Sequence, residues 1–180
     1  MLTQLAGELR VHDVETEIVR VVDFDVKPGV SANEGDGDDW PLIRTKILAA
    51  DILVMGTPIW MGSPSSVCKR VAERLDAMLG EADNAGRMPT FGKVAVVAVV
   101  GNEDGVHHVA AECFQWLNDT GFTIPAAASV YWVGEAMGKV DYNQLDETPE
   151  KVTASLKMTA SSAAHLARLL GPTNYPGTPG

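Results

Sequence analysis

The run Lys93–Val100 (KVAVVAVV) constrains this chain more than any other stretch. After its lysine it is continuously apolar, so neither face of it can meet water. An unbroken run of Val and Ala suits a central strand of a parallel sheet, covered by helices on both sides. A second short run, Ile52–Met55, has the same character. Around these lie helical patterns. Leu2, Leu5 and Leu9 share one side of an N-terminal helix. Leu42, Ile43, Ile47 and Leu48 follow a start at Asp38 or Asp39. Ser63 and Pro64 read as N-cap and first residue of a third helix, with Val67, Val71, Leu75 and Met78 on its apolar face and its end near Gly80. A helix from about His107 to Thr120 stops at Gly121, and Thr148-Pro149-Glu150 opens the last one. Strands alternating with helices imply an α/β fold, a three-layer doubly wound parallel sheet. Its expected strands are residues 15–24, 51–56, 93–100 and 127–133, with Ile18, Val19, Val21 and Val22 as core positions of the first.

The chain of 180 residues fits one domain, expected over residues 1–170. The glycine- and proline-rich 171–180 reads as a disordered tail. No apolar run reaches the ~18–20 residues that span a bilayer. MLTQLAGELR lacks the basic and apolar regions of a signal peptide. Cys68 and Cys113 stand alone, without a CxxC pattern, which suits a reducing, cytoplasmic location. A net charge of −10 argues against general nucleic-acid binding.

Ligands of open α/β sheets bind at the carboxyl ends of strands. Two such ends carry unusual loops here, Thr57–Ser66 and Gly101–His108, and both lead into helix N-termini that favour electron-rich atoms. Glycines 56, 62, 101 and 105 would let backbone approach a ligand closely. The combination suits a planar molecule held by main chain.

The segment Thr57-Pro58-Ile59-Trp60-Met61-Gly62-Ser63-Pro64-Ser65, followed by Lys69 and Glu73-Arg74-Leu75-Asp76, resembles the flavin loop and following helix of flavodoxin-like NAD(P)H-dependent FMN reductases. Gly101-Asn102-Glu103-Asp104-Gly105-Val106-His107-His108 resembles the second flavin loop of the multimeric flavodoxin branch. The similarity extends from Met1 to about Leu170. It implies a flavodoxin-like fold, with Thr57 to Gly62 on one side of the FMN ring and Gly101 to His108 on its other edge. It also implies NAD(P)H as electron donor, a quinone, flavin or similar small-molecule acceptor, and a homo-oligomer. The family's first strand and phosphate-binding loop precede its first helix, whereas this chain opens inside that helix. The sheet is therefore expected to be N-terminally truncated, with strand 1 absent; either the functional start lies further upstream, or the remaining strands pair directly with one another or are completed by another chain, and FMN is expected to lose its phosphate contacts. Two or three such bonds at ~1.5–3 kcal/mol each would weaken binding by roughly a hundredfold or more.

Several readings stay open at this level. Trp60 either stacks on the flavin or packs in a loop or interface. His107 and His108 are candidate catalytic residues, or else capping or solvated ones. Tyr131–Glu135 ends the last strand at the same edge, lining the site or a subunit interface, or else packing Trp132 in the core. The acidic loop Glu34–Asp39 lacks the spacing of a calcium site and reads as a solvated helix start; no metal site is expected. In function, an oxidoreductase is weighed against a flavodoxin-like electron carrier or non-catalytic redox-binding protein, whose acidic surface would dock a basic partner. No GxGxxG fingerprint for a nicotinamide dinucleotide is present.

Overall fold

A computed structural model describes residues 1–178. Among the described residues five α-helices and four strands follow one another: α1 Leu2–Val11, α2 Trp40–Ala49, β1 Ile52–Trp60, β2 Ser63–Pro64, α3 Ser66–Leu75, β3 Val94–Gly101, α4 Val106–Asp119, β4 Ser129–Val133 and α5 Glu150–Leu170. The sheet order is β2-β1-β3-β4. β1, β3 and β4 are parallel, with Met55 beside Val97 and Val99 beside Tyr131, and only the two-residue β2 runs against β1.

β3 shows why its sequence is continuously apolar. Val94, Val96 and Ala98 face one cluster, with Leu5 and Leu9 of α1 and Leu156, Ala160 and Ala163 of α5. Ala95, Val97 and Val99 face the other, with Ile43 and Ile47 of α2, Val71 and Leu75 of α3, and Val109, Cys113 and Leu117 of α4. The period-2 alternation of a strand thus serves two buried faces, and the three layers are those expected. Small residues let α5 approach closely: Ala160 and Ala163 are fully buried.

Three expectations are corrected. Residues 15–24 form no strand: Val14–Arg20 has no regular structure and Val21–Asp23 is a 3-10 turn. Val19, Val21 and Phe24 do pack on the core, but Ile18 and Val22 are about half exposed. No strand pairs with this segment among the described residues, so it packs a half-buried side on the core without a ladder. Second, β1 does not stop at Gly56 but pairs with β3 as far as Pro58 beside Val100. Third, Ser63 and Pro64 do not cap α3. They pair with Trp60 and Ile59 as β2, and Ser65 caps instead, its Oγ accepting the Cys68 N–H at 3.2 Å. Two-residue β2 is an edge strand, where proline is tolerated. The phase of α3 follows: Cys68 is buried, whereas Val67 is exposed.

Segment 171–178 has no helix or strand, yet Tyr175 stacks edge-on against Phe91 at 5.6 Å and its hydroxyl lies 2.9 Å from Thr123 Oγ1. Residues 179 and 180 of the expected tail lie outside the described residues.

Candidate functional site

The carboxyl ends of β1, β3 and β4 bring three loops to one edge. The first is the hairpin between β1 and β2, whose tip is Met61-Gly62. Both residues have left-handed φ, 52° and 75°, as a two-residue turn between antiparallel strands requires. Met61 and Trp60 project into solvent, 94% and 64% exposed. Thr57 does the opposite. It is buried, and its Oγ1 accepts the Ser65 N–H at 3.1 Å, closing the base of the hairpin. Ile59 is buried too, whereas Pro58 is exposed.

The second loop, Gly101–Gly105, carries β3 into α4. Glu103 accepts the Met61 N–H on Oε1 at 2.8 Å, joining the two loops. Asp104 accepts the Gly105 N–H at 2.7 Å. Gly105 sits at φ 117° as the N-cap of α4, and a Cβ there would come within 2.7 Å of the Gly62 carbonyl oxygen. Of the glycines expected to make room for a ligand, three make room for the protein itself. Gly105 lies against Gly62, Gly101 lies under Ile59, and Gly56 under Leu2 of α1.

The third loop escaped the sequence reading as a partner of the second. Gly134 donates to Gly101 O at 2.9 Å, Met137 N donates to Asn102 O at 3.1 Å, and Asn102 Nδ2 donates to Gly138 O at 3.1 Å. Asn102 therefore serves as a clamp between loops. Nothing in its spacing to residue 138 announces this.

The two histidines separate. His107 points to β4: its Nε2 lies 3.3 Å from the Tyr131 hydroxyl and the rings meet edge to face at 5.4 Å. His108 turns along α4 to Glu112, 2.8 Å away. Trp132 packs half-buried against Tyr142 and the core. The acidic loop is no solvated helix start at Asp38, whose side chain is fully buried against Arg74. Among the described residues no group of three or more His, Cys, Asp or Glu could hold a metal ion.

The edge presents main chain and an aromatic side chain to solvent. It offers an exposed indole, main chain of two turns, and the first turn of α4, which has no capping side chain. Residues 47–68 and 94–138 contain no Lys or Arg, so these loops supply no cationic side chain to a phosphate.

This arrangement is that of flavodoxin-like proteins, in which the loops after the parallel strands hold a flavin. The model of the family described as NADPH-dependent FMN reductase matches residues 1–137, and the chain belongs to that family of flavin-dependent oxidoreductases. Among curated proteins, 8-demethyl-8-aminoriboflavin-5'-phosphate synthase of Streptomyces davaonensis is 34% identical over 172 residues, covering 90% of this chain and 67% of its own length. The divalent metal cation transporter MntH of Mycobacterium bovis is 37% identical over 140 residues, covering 76% of this chain, which spans only 20% of the transporter. Among solved structures, RosB with bound 8-demethyl-8-formylriboflavin-5'-phosphate superposes with a TM-score of 0.84 at 30% identity, over 97% of this chain and 73% of that one. An archaeal flavodoxin, with a TM-score of 0.58 at 8% identity over 92% of this chain and 87% of that one, shares the fold. No helix among the described residues is long and apolar enough to cross a membrane.

Proposed function

We propose that this chain binds FMN at the three-loop edge and passes electrons from NAD(P)H to a quinone, a free flavin or a similar small acceptor. The observation that carries the reading is the joining of the two loops through Glu103 and Met61, with Gly62 against Gly105. It makes one continuous surface of Trp60, Met61, Gly62 and the turn Gly101–Gly105. Bound there, the flavin supplies two-electron chemistry with a nicotinamide and delivery of electrons to the acceptor. The protein's own share is positional. Trp60 offers its face to the ring. Main-chain N–H groups at the start of α4 hold its electron-rich edge. His107, whose Nε2 lies 3.3 Å from the Tyr131 hydroxyl, is the better placed of the two histidines because His108 is engaged by Glu112. A homo-oligomer and a cytoplasmic location complete the proposal.

Adding FMN to the purified chain is expected to quench the flavin's fluorescence and to support NAD(P)H oxidation when a quinone is present. Absence of both overturns the reading. Gly105→Val, which needs space held by Gly62, is expected to weaken FMN binding at least tenfold.

A second reading is favoured by one observation: the relative with 34% identity is named for making a riboflavin phosphate derivative, and RosB was solved with such a molecule bound. Here the flavin phosphate is itself the substrate. Mass analysis of FMN recovered after incubation separates the two, since a cofactor returns unchanged.

A further inference from the structure

The two most exposed large apolar side chains among the described residues are both methionines, Met61 at 94% and Met137 at 91%. One stands at the tip of the β1–β2 hairpin, the other in the turn Glu135–Gly138 after β4. Far apart in sequence, they are brought together by the backbone. The Met61 N–H donates to Glu103 Oε1 at 2.8 Å, and the Met137 N–H donates to the carbonyl of the residue before it, Asn102, at 3.1 Å. Neighbouring residues of the second loop thus hold both methionines. Because β1 and β4 flank β3 in the sheet, one methionine stands on each side of that loop.

Both sit where a chain usually places glycine or asparagine. Met61, at φ 52°, is the first of the two turn residues of the hairpin. Met137, at φ 61°, is the third residue of a turn closed by the Gly138 N–H on Glu135 O at 2.8 Å. A left-handed conformation is uncommon for a long side chain and costs stability. Leaving an apolar side chain in water forgoes the stability that burial would give. A purely structural turn has no use for either cost, whereas a binding surface does.

What fits such a pair follows from its chemistry. Methionine is unbranched and polarisable, its sulfur makes favourable contacts with aromatic rings, and it adapts to rings of different outline. Trp60, 64% exposed, adds an aromatic face next to Met61. The charges around them are mostly of one sign. Residues 101–108 and 134–145 carry Glu103, Asp104, Glu135 and Asp141 against the single Lys139, and residues 57–66 carry no Lys, Arg, Asp or Glu. Such a rim opposes an anion and leaves an uncharged ring unopposed. We propose that Met61 and Met137 are the two lips of a site for a flat, uncharged aromatic acceptor of the quinone class, and that anionic acceptors such as free FMN are turned away. This rests on the reading of the three-loop edge as the electron-transfer site and narrows the acceptor used there.

The full chain is labelled with carbon-13 at the methyl groups of its 7 methionines and titrated with 2-methyl-1,4-naphthoquinone, with FMN and without it, while the methyl spectrum is recorded. Met61→Leu and Met137→Leu assign the two signals. Both are expected to shift together, with one midpoint, as the ring settles between the side chains. The 2-sulfonate of 1,4-naphthoquinone, a ring of the same class bearing a negative charge, is expected to need about fivefold more. Met137→Gln, similar in length but polar, is expected to raise the midpoint for the uncharged quinone about fivefold, and Met137→Leu to hold it within about twofold. Unmoved signals from the buried Met55 and Met78 report that the fold is kept. Two signals that stay put, one that moves alone, or a sulfonate that binds as well as the uncharged ring would each overturn the proposal. So would a shift of both signals on raising the protein concentration without quinone, which assigns the pair to contact with a second copy. Failure of the flavin reading looks different: FMN fluorescence stays unquenched while both methionine signals still answer to the quinone.

Discussion

The two flanks of the parallel sheet hold their outermost chain in different ways. On one flank β4 hydrogen-bonds to β3 over five residue pairs, with Val130 fully buried beneath α5. On the other, residues 14–39 form no ladder with the sheet, and side chains of α3 hold them. Arg74 of α3 donates to Lys27 O at 3.0 Å, to Ser31 O at 2.8 Å and to Asp38 Oδ2 at 2.7 Å. Arg70 donates to Val26 O at 3.0 Å, and Asp39 Oδ2 accepts the Asp25 N–H at 2.9 Å. The difference teaches that a segment with a buried apolar side need not be a strand. A few charged groups hold it in place of a ladder, which concentrates the polar contacts of that flank in a few atoms.

That concentration makes Arg74→Ala the most damaging change expected. The guanidinium and the Asp38 carboxylate are both fully buried, and removing one leaves the other charge unpaired. Breaking a buried pair in this way costs about 3–5 kcal/mol, read as a shift of the urea unfolding midpoint. A loss no larger than that of a surface substitution would break the comparison.

The same pair gives the flank an acid sensitivity. Burial alone would raise the pKa of Asp38. The N–H groups of Glu34, Trp40 and Lys27, together with Arg74, outweigh burial and bring it from 3.8 to about 2. A carboxylate depressed in the folded state contributes stability above its unfolded pKa and loses it as pH falls through the folded value. The stability gap between wild type and Asp38→Asn is therefore expected to be full at neutral pH and to close between about pH 4 and pH 2. Urea titrations across that range check it, and a gap independent of pH would remove Asp38 from the account.

These stitches explain which parts of the molecule were legible from sequence. β3, α4 and α5 were, because their patterns report burial on faces that the fold supplies. The meeting of Thr57–Gly62 with Gly101–His108 was, because parallel strands must end together. Periodicity reports which side of a segment is buried and not whether a neighbour exists to pair with it, so residues 15–24 read as a strand. The strand is expected over residues 51–56, yet Pro58 pairs with Val100 within the ladder and the turn falls at Met61-Gly62. Arg74 with Asp38 and Asn102 with Gly138 are each separated by 36 residues. No local spacing encodes such pairs.

The finest test of the contrast uses two valines, one on each flank. Val130→Ala removes two methyl groups from a fully buried position on β4, at about 0.8 kcal/mol for each carbon plus the cavity left behind, for a total of about 2 kcal/mol. Val22→Ala removes the same atoms from the segment once expected to be a strand, where the side chain is 56% exposed. Its cost is expected to stay within about 0.5 kcal/mol. Both are read from urea unfolding midpoints at one slope. Equal costs would mean that residues 15–24 gain a packed partner in solution and that the two flanks are alike after all. The expected inequality, set beside the large loss from Arg74→Ala, would place the strength of this flank in its polar stitches and not in its apolar side chains.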